Sequence, residues 1–447
     1  MVSYLIVFVG HQNKALRQGR NFGYPCPMHV TDDFLSFIAL SPSSYHAAAA
    51  VERRLIHEGF IRQEDTDEWD ARPGGHVSVR GGAVVAWWVP EDASPESGFR
   101  IIGSHTDSPG FKLKPSGDLS SHGWQQAGVE VYGGPILASW LDRELALAGR
   151  IVLADGSVKL VNTGPILRIP HVAIHLDRTV NSQLTLNPQR HLQPVFAVGE
   201  PDVSIMDVIA GAAGVEPADI ISHDLITVAT QDAEVFGAHG DFLASGRLDN
   251  LSSVHPSMTA LIAASQSEDA GSDILVMAAF DHEEVGSNSA SGAAGPLLED
   301  VLNRTARALG ADEDERRRMF NRSSMVSADA AHSIHPNFPE KHDPVNYPII
   351  GKGPVLKVNA NQRYTSDAVT SGMWIRACQI AGVPHQVFAG NNDVPCGSTI
   401  GPISATRLGI DSVDVGIPLL SMHSAREMAG IKDLMWFEQA LEAYLVN

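Results

Sequence analysis

The chain reads as an α/β protein, with a mixed, largely parallel sheet sandwiched by helices and a β-rich insertion. Three observations predict this. Ile274 to Phe280 (ILVMAAF) is short and wholly apolar, as expected of a central strand covered on both faces. From Gly353 to the C-terminus, strand-like runs alternate with helical ones, the pattern of a parallel sheet. Between Pro109 and about Phe236, helical periodicity gives way to glycine turns and short β-branched runs. The expected organisation is therefore discontinuous: residues 28–108 and 237–447 form one unit, and 109–236 are inserted into it.

Composition narrows the function. The 447 residues carry a formal charge of −20, which argues against nucleic acid or an anionic membrane as partner. Cys26, Cys378 and Cys396 are few and widely spaced, so neither a disulfide framework nor a cysteine zinc site is expected, and a reducing, cytoplasmic compartment fits. Tyr4 to Val9 is apolar but lacks a preceding positive charge and is too short to span a membrane. With no clear period before Met28, residues 1–27 are expected to form a disordered extension.

Taken in order, Ser43-Ser44 followed by YHAAAAVERRLIHEG predicts a capped helix stopped by Gly59. Phe99 to Gly103 is a strand that runs into GSHTDSPG, where His105 and Asp107 share a face and Asp107 can orient the imidazole. Alone, this reads more readily as a turn with a hydrogen-bonded histidine. Asp155-Gly156, between Arg150–Ala154 and Val158–Val161, signals a hairpin. In RIPHVAIHLDR, Pro170 and the β-branched neighbours favour a strand with His171 and His175 on one face, and the zincin glutamate is missing. Asp249 lies where a loop becomes the helix from Leu251 to Ser265, and in isolation it reads as a cap. The run Arg316-Arg317-Arg318 on the next polar helix suits a solvated face. Met325–Ala328 is a strand that delivers Asp329. Strands and helices then alternate to Ser412–Ile417, after which His423 precedes Ser424-Ala-Arg-Glu427, a capping-box pattern. Leu434, Phe437, Leu441 and Tyr444 form the buried stripe of the closing helix.

The chemistry collects at strand ends, where α/β sheets bind ligands. The central strand ends in Asp281-His282-Glu283-Glu284, and adjacent carboxylates beside a core are costly unless a cation neutralises them. A solvated acidic turn would account for that segment alone equally well. Joined by His105, Asp249, Asp329 and His423, however, Glu284 completes a set of two histidines and three carboxylates suited to a pair of zinc-like ions, one carboxylate bridging. Such centres act on phosphate esters or amide bonds. Glu283, next to a ligand but not itself one, is then the natural general base.

Eight ordered blocks carry a family resemblance: GSHTDSPG, RIPHVAIHL, GRLDN, FDHEEVGS, SADAAHSIHPNF, KVNANQRY, NDVPCGSTIGP and MHSARE. From about Thr31 to its end the chain resembles the aspartyl aminopeptidases, dinuclear zinc exopeptidases that remove N-terminal Asp or Glu. The resemblance implies two zinc ions per subunit, with manganese or cobalt as substitutes: one held by His105 and Asp329, the other by Glu284 and His423, with Asp249 bridging. Asp107 would orient His105, and Glu283 would be the base. It further implies that the insertion is a dimerisation domain and that dimers build a tetrahedral dodecamer. A histidine of the insertion would reach a neighbouring site, and His171 is the choice over His175. For a substrate carboxylate, Lys357 is the implied cation, with Arg363 or Arg426 as helpers; the plain alternative for Lys357 is a surface lysine. Competing readings are a dinuclear peptidase of neutral specificity and a self-assembling shell or cargo protein.

Overall fold

The computed structural model describes residues 27–199 and 203–447. The expected N-terminal extension therefore lies outside the described residues, apart from Pro27, where the helix Pro27–Leu40 begins. The fold is the predicted mixed α/β arrangement. A nine-stranded sheet has at its centre four parallel strands, Ile274–Phe280, Phe99–His105, Ser324–Ala328 and Asp411–Gly416, in that order. Antiparallel neighbours, Ala83–Val89 on one side and Val355–Val358 on the other, make the sheet mixed.

The wholly apolar strand is buried along its length, and its alternation divides it between two cores. Leu275, Met277 and Ala279 face a core that includes the helices Ser44–His57, Leu248–Ser265 and Ile431–Val446, while Ile274, Val276, Ala278 and Phe280 face one that includes Leu297–Ala308. A helix on each face explains why both halves of the period are apolar. Local signals place the boundaries: Ser43 accepts the His46 N–H at the start of its helix, and Gly59 at φ +90° ends it. The closing helix buries Leu434, Phe437, Leu441 and Tyr444 as its stripe requires.

Between Gly110 and Ala229 the strands form a separate, antiparallel sheet of seven. It curls closed, because Ile220–Ala229 pairs with Gly110–Ser121 on one edge and Glu144–Leu153 on the other. The Asp155-Gly156 hairpin joins Glu144–Leu153 to Val158–Asn162. Glu234–Phe236 pairs instead with Phe242–Ser245, in a third sheet completed by Glu427–Gly430, Pro418–Leu420 and Ala331–His332. No helix among the described residues is long and apolar enough to cross a membrane.

Two local expectations are overturned. RIPHVAIHL is not a strand: pairing ends at Leu167–Arg168, and the following residues form an exposed, irregular loop. Among the described residues its β-branched residues have no partner strand, and β-propensity without pairing does not make a strand. Ser424 does not open a helix either. Glu427–Gly430 is a strand paired on both edges, and the helix starts at Ile431. Two ladders of backbone hydrogen bonds outweigh a local capping pattern.

Candidate metal centre

Two sheets aim the site residues at one place. Register in the large sheet sets Phe280 opposite His105, so the turn carrying Glu283 and Glu284 begins beside the imidazole. His282, at φ +63°, turns the chain out of the strand into the short helical turn Glu283–Val285. Asp329 follows Ser324–Ala328. The third sheet contributes the other two: Asp249 comes after Phe242–Ser245, and His423 lies between Pro418–Leu420 and Glu427–Gly430.

Asp249 stands at the centre. Its Oδ1 is 3.3 Å from His105 Nε2, and its Oδ2 is 3.3 Å from His423 Nε2. Asp329 Oδ1 lies 3.7 Å from His105 Nε2, and Glu284 Oε2 lies 3.4 Å from His423 Nε2. The five residues thus divide into two lobes that share Asp249. His105, Asp249 and Glu284 offer ligand atoms all within 4.8 Å of one another. The capping reading of Asp249 does not hold, because its two carboxylate oxygens face His105 and His423, not the backbone N–H groups of the helix that follows.

Around these residues lies a frame of hydrogen bonds. Asp107, buried, receives the backbone N–H of Glu283 at 3.0 Å and that of Glu284 at 3.2 Å. His105 Nδ1 is 3.1 Å from the Asp107 carbonyl oxygen and 3.4 Å from its carboxylate. Asp107 therefore orients both the histidine and the glutamate pair, more than its sequence position suggested. Glu427, also buried, accepts the N–H of Asp249 at 3.0 Å and of His423 at 2.7 Å. Tyr132 donates its hydroxyl to Asp107 at 2.7 Å. Sequence reasoning missed Tyr132 altogether and took Glu427 for half of a capping box.

Electrostatics show what the cluster would bind. Burial, reinforced by Asp249, pushes Glu284 well above the usual carboxylate range, and burial raises Glu283 to about 7. Burial works against charge on the histidines, but the surrounding carboxylates outweigh it, lifting His105 well above its ordinary value and His423 to about 10. Asp249 is held below the ordinary range because the two imidazoles overcome its burial. Asp249 Oδ1 and Glu284 Oε1 are buried without a hydrogen-bond partner among the described residues. Buried, unpartnered oxygens on carboxylates that stand beside imidazole nitrogens are what a cation would satisfy, and an all-oxygen-and-nitrogen donor set fits zinc.

The remaining predicted residues fall into different places. Glu283 Oε2 lies 4.0 Å from His105 Nε2, beside the cluster. Lys357 is no surface lysine: only 2% exposed, it donates to the Ala330 carbonyl at 3.2 Å and lies 3.8 Å from Asp329. Arg363 is exposed and bonds the Gly397 carbonyl. Arg426 turns to the Asp232 carbonyl and Glu234. His171, on the exposed loop, has its Nδ1 2.7 Å from Asp142, whose other oxygen accepts the His171 N–H. His175 is exposed on the same loop.

The chain is similar to known proteins over most of its length. A family model described as aminopeptidase I zinc metalloprotease (M18) matches residues 37–445. A probable M18 family aminopeptidase 2 of Streptomyces avermitilis is 48% identical over 420 residues, spanning 93% of this chain and 97% of the relative. Among solved structures, one of an Ape4 and Nbr1 complex matches with a TM-score of 0.91 at 35% identity, covering 94% of this chain and 86% of that one. The mApe1 dodecamer of S. cerevisiae matches with a TM-score of 0.82 at 27% identity, covering 93% and 96%.

Proposed function

The chain belongs to the aminopeptidase I (M18) family of zinc metalloproteases, and from that premise we propose that it removes N-terminal aspartate or glutamate from peptides at a two-zinc site. Membership makes it a metal-dependent aminopeptidase; the acidic specificity, the count of two ions and the residue roles are our reading. In it, His105 and Asp329 hold one ion, Glu284 and His423 the other, and Asp249 bridges. The observation that carries this is the Asp249 carboxylate, whose two oxygens face the Nε2 atoms of different histidines at 3.3 Å each.

Bound zinc supplies Lewis acidity, polarising the scissile carbonyl and making a water more acidic. Everything else falls to the chain. Glu283 accepts a proton from the attacking water as the new C–O bond forms, and delivers it to the departing amine as the C–N bond breaks. Glu283 Oε2 lies 4.0 Å from His105 Nε2, beside the ligands, where such an exchange would take place. Asp107 holds the backbone of Glu283 and Glu284 in place. Lys357, near Asp329, is the cation offered to an acidic side chain, with Arg363 and Arg426 as its helpers. We further propose a homo-oligomer, a tetrahedral dodecamer built from dimers, in which His171 reaches a neighbouring site; the dodecameric S. cerevisiae relative supports this.

The test is direct. Zinc-loaded protein should cleave Asp- and Glu-terminated peptides at least tenfold faster than Ala- or Leu-terminated ones; equal or reversed rates would reject acidic specificity. One observation favours the neutral alternative: the Lys357 ammonium already has Ala330 and Asp329 as partners. Against a purely structural shell stands the presence of the full ligand set together with Glu283.

A further inference from the structure

The inserted sheet reaches into the metal centre through one short segment. Trp124–Tyr132 ends at the site, and the residues after it touch the lobe formed by Glu284 and His423. Tyr132 donates to Asp107 Oδ2 at 2.7 Å, the same oxygen that receives the Glu284 N–H. Gly133, at φ +69°, lies against Glu284 so closely that a Cβ there would stand 3.1 Å from the Glu284 Cβ. The Gly134 carbonyl is 3.1 Å from His423 Nδ1, and Ile136 donates its N–H to the His423 carbonyl at 2.9 Å. Ser139 Oγ accepts the Ala425 N–H at 2.9 Å. The segment thus grips the His423 loop while Tyr132 holds the group that positions His105, Glu283 and Glu284.

We infer that Tyr132 is a positioning residue of the metal centre, through which docking of the inserted sheet sets the geometry of Asp107 and the residues it orients. This rests on reading the cluster as a zinc site. The physical case is the asymmetry of the Asp107 carboxylate. It takes two backbone N–H groups from the Glu283 turn and stands beside His105 Nδ1, so its orientation decides the placement of a ligand on each side and of the base. Those partners belong to the catalytic sheet; the hydroxyl of Tyr132 is its hydrogen bond from the insertion. A short hydrogen bond to a buried carboxylate is among the stronger kinds, and groups that orient metal ligands typically change metal affinity or activity ten- to a hundredfold when lost. The same ring lines the seam cavity of about 60 Å³ between the two sheets, so the purely structural alternative is that Tyr132 only fills space.

Tyr132→Phe keeps the ring and removes the donor. In the full-length assembled protein, zinc affinity measured by competition with a chromogenic chelator should fall about tenfold or more, and kcat should fall with KM within twofold of wild type. In an Asp107→Asn background the same change should have no further effect on zinc affinity. Zinc affinity and kcat both within twofold of wild type would overturn the inference, as would an undiminished effect in the Asp107→Asn background. Should Tyr132→Phe fail to assemble, 4-aminophenylalanine and 4-methylphenylalanine in place of Tyr132 supply a matched pair, equal in size but only one a donor. At least fivefold tighter zinc binding by the donor supports the inference, and equal binding overturns it. Zinc affinity is read without substrate, so a wild-type protein that fails on acidic peptides rejects the specificity alone, whereas failure here appears in the ratio of variant to wild type.

Discussion

Lys357 Nζ lies 3.8 Å from Asp329 Oδ2, and both side chains are buried. A buried ammonium needs compensation, and Asp329 with the Ala330 carbonyl provides it. Compensating Asp329 is one job for Lys357; under the proposed function it has a second, receiving an acidic substrate side chain. Lys357→Met should separate them. If the ammonium meets the substrate, turnover of Asp-terminated relative to Ala-terminated peptides falls roughly ten- to a hundredfold, the loss of one charged hydrogen bond. A parallel drop for both peptides, with reduced zinc content, would leave only the balancing role.

Glu283→Gln keeps size and shape but cannot carry the proton. With zinc content equal to wild type, kcat should fall roughly 10²- to 10⁴-fold while KM changes little. Hydrolysis at the wild-type rate would remove Glu283 as the base.

His171 is assigned to a neighbouring site, and complementation distinguishes that from action within its own chain. Glu283→Gln and His171→Ala should each be nearly inactive. Dissociated and reassembled together, they should recover a substantial fraction of activity, because a His171→Ala subunit retains Glu283 and borrows His171 from its neighbour. No recovery in mixed assemblies of normal size would place the function of His171 within its own chain.

Acid should loosen the seam between helix and insertion. Asp224 contacts Lys112 at 2.9 Å, Arg150 at 3.0 Å and the hydroxyl of Tyr45, from the helix Ser44–His57, at 3.2 Å. Burial opposes ionisation, but Lys112 and Arg150 outweigh it and bring the Asp224 carboxyl to about 2. The folded state therefore favours the ionised form more than the unfolded chain does. Stability from this cluster is fully present above the ordinary value of 3.8 and is lost as pH falls towards about 2. Asp224→Asn should cost about 1–2 kcal/mol near neutrality and flatten the loss between about pH 4 and 2. Thermal melts of both proteins across that range check it; parallel curves would show that the cluster does not contribute.

What could be read from the chain follows the reach of each signal. His105, Glu284 and Asp329 lie at or just after strands whose apolar runs mark their own ends, so local pattern located them. Asp249 and His423 lie on loops of the third sheet and were legible only as members of a chemical set. Tyr132 carried no local signal: its role arises where a strand of the insertion docks on Asp107, 25 positions away in the turn that follows Phe99–His105. Glu427 carried a misleading one, since a capping pattern is informative only if a helix follows. The irregular loop bearing His171 was misread because β-branched composition reports a preference, whereas a strand also needs a neighbour to pair with.

The pairing of Phe280 with His105 bears on how this centre can change over evolutionary time. Side chains alternate along a strand, so adding or deleting one residue in Phe99–His105 or Ile274–Phe280 would turn His105, or the root of the Glu283 turn, to the opposite face. Substitutions can be tried one at a time there, but length cannot. Tolerated insertions should instead gather in exposed turns such as 268–272, at the opposite end of that ladder from the site, where added residues leave every strand in step.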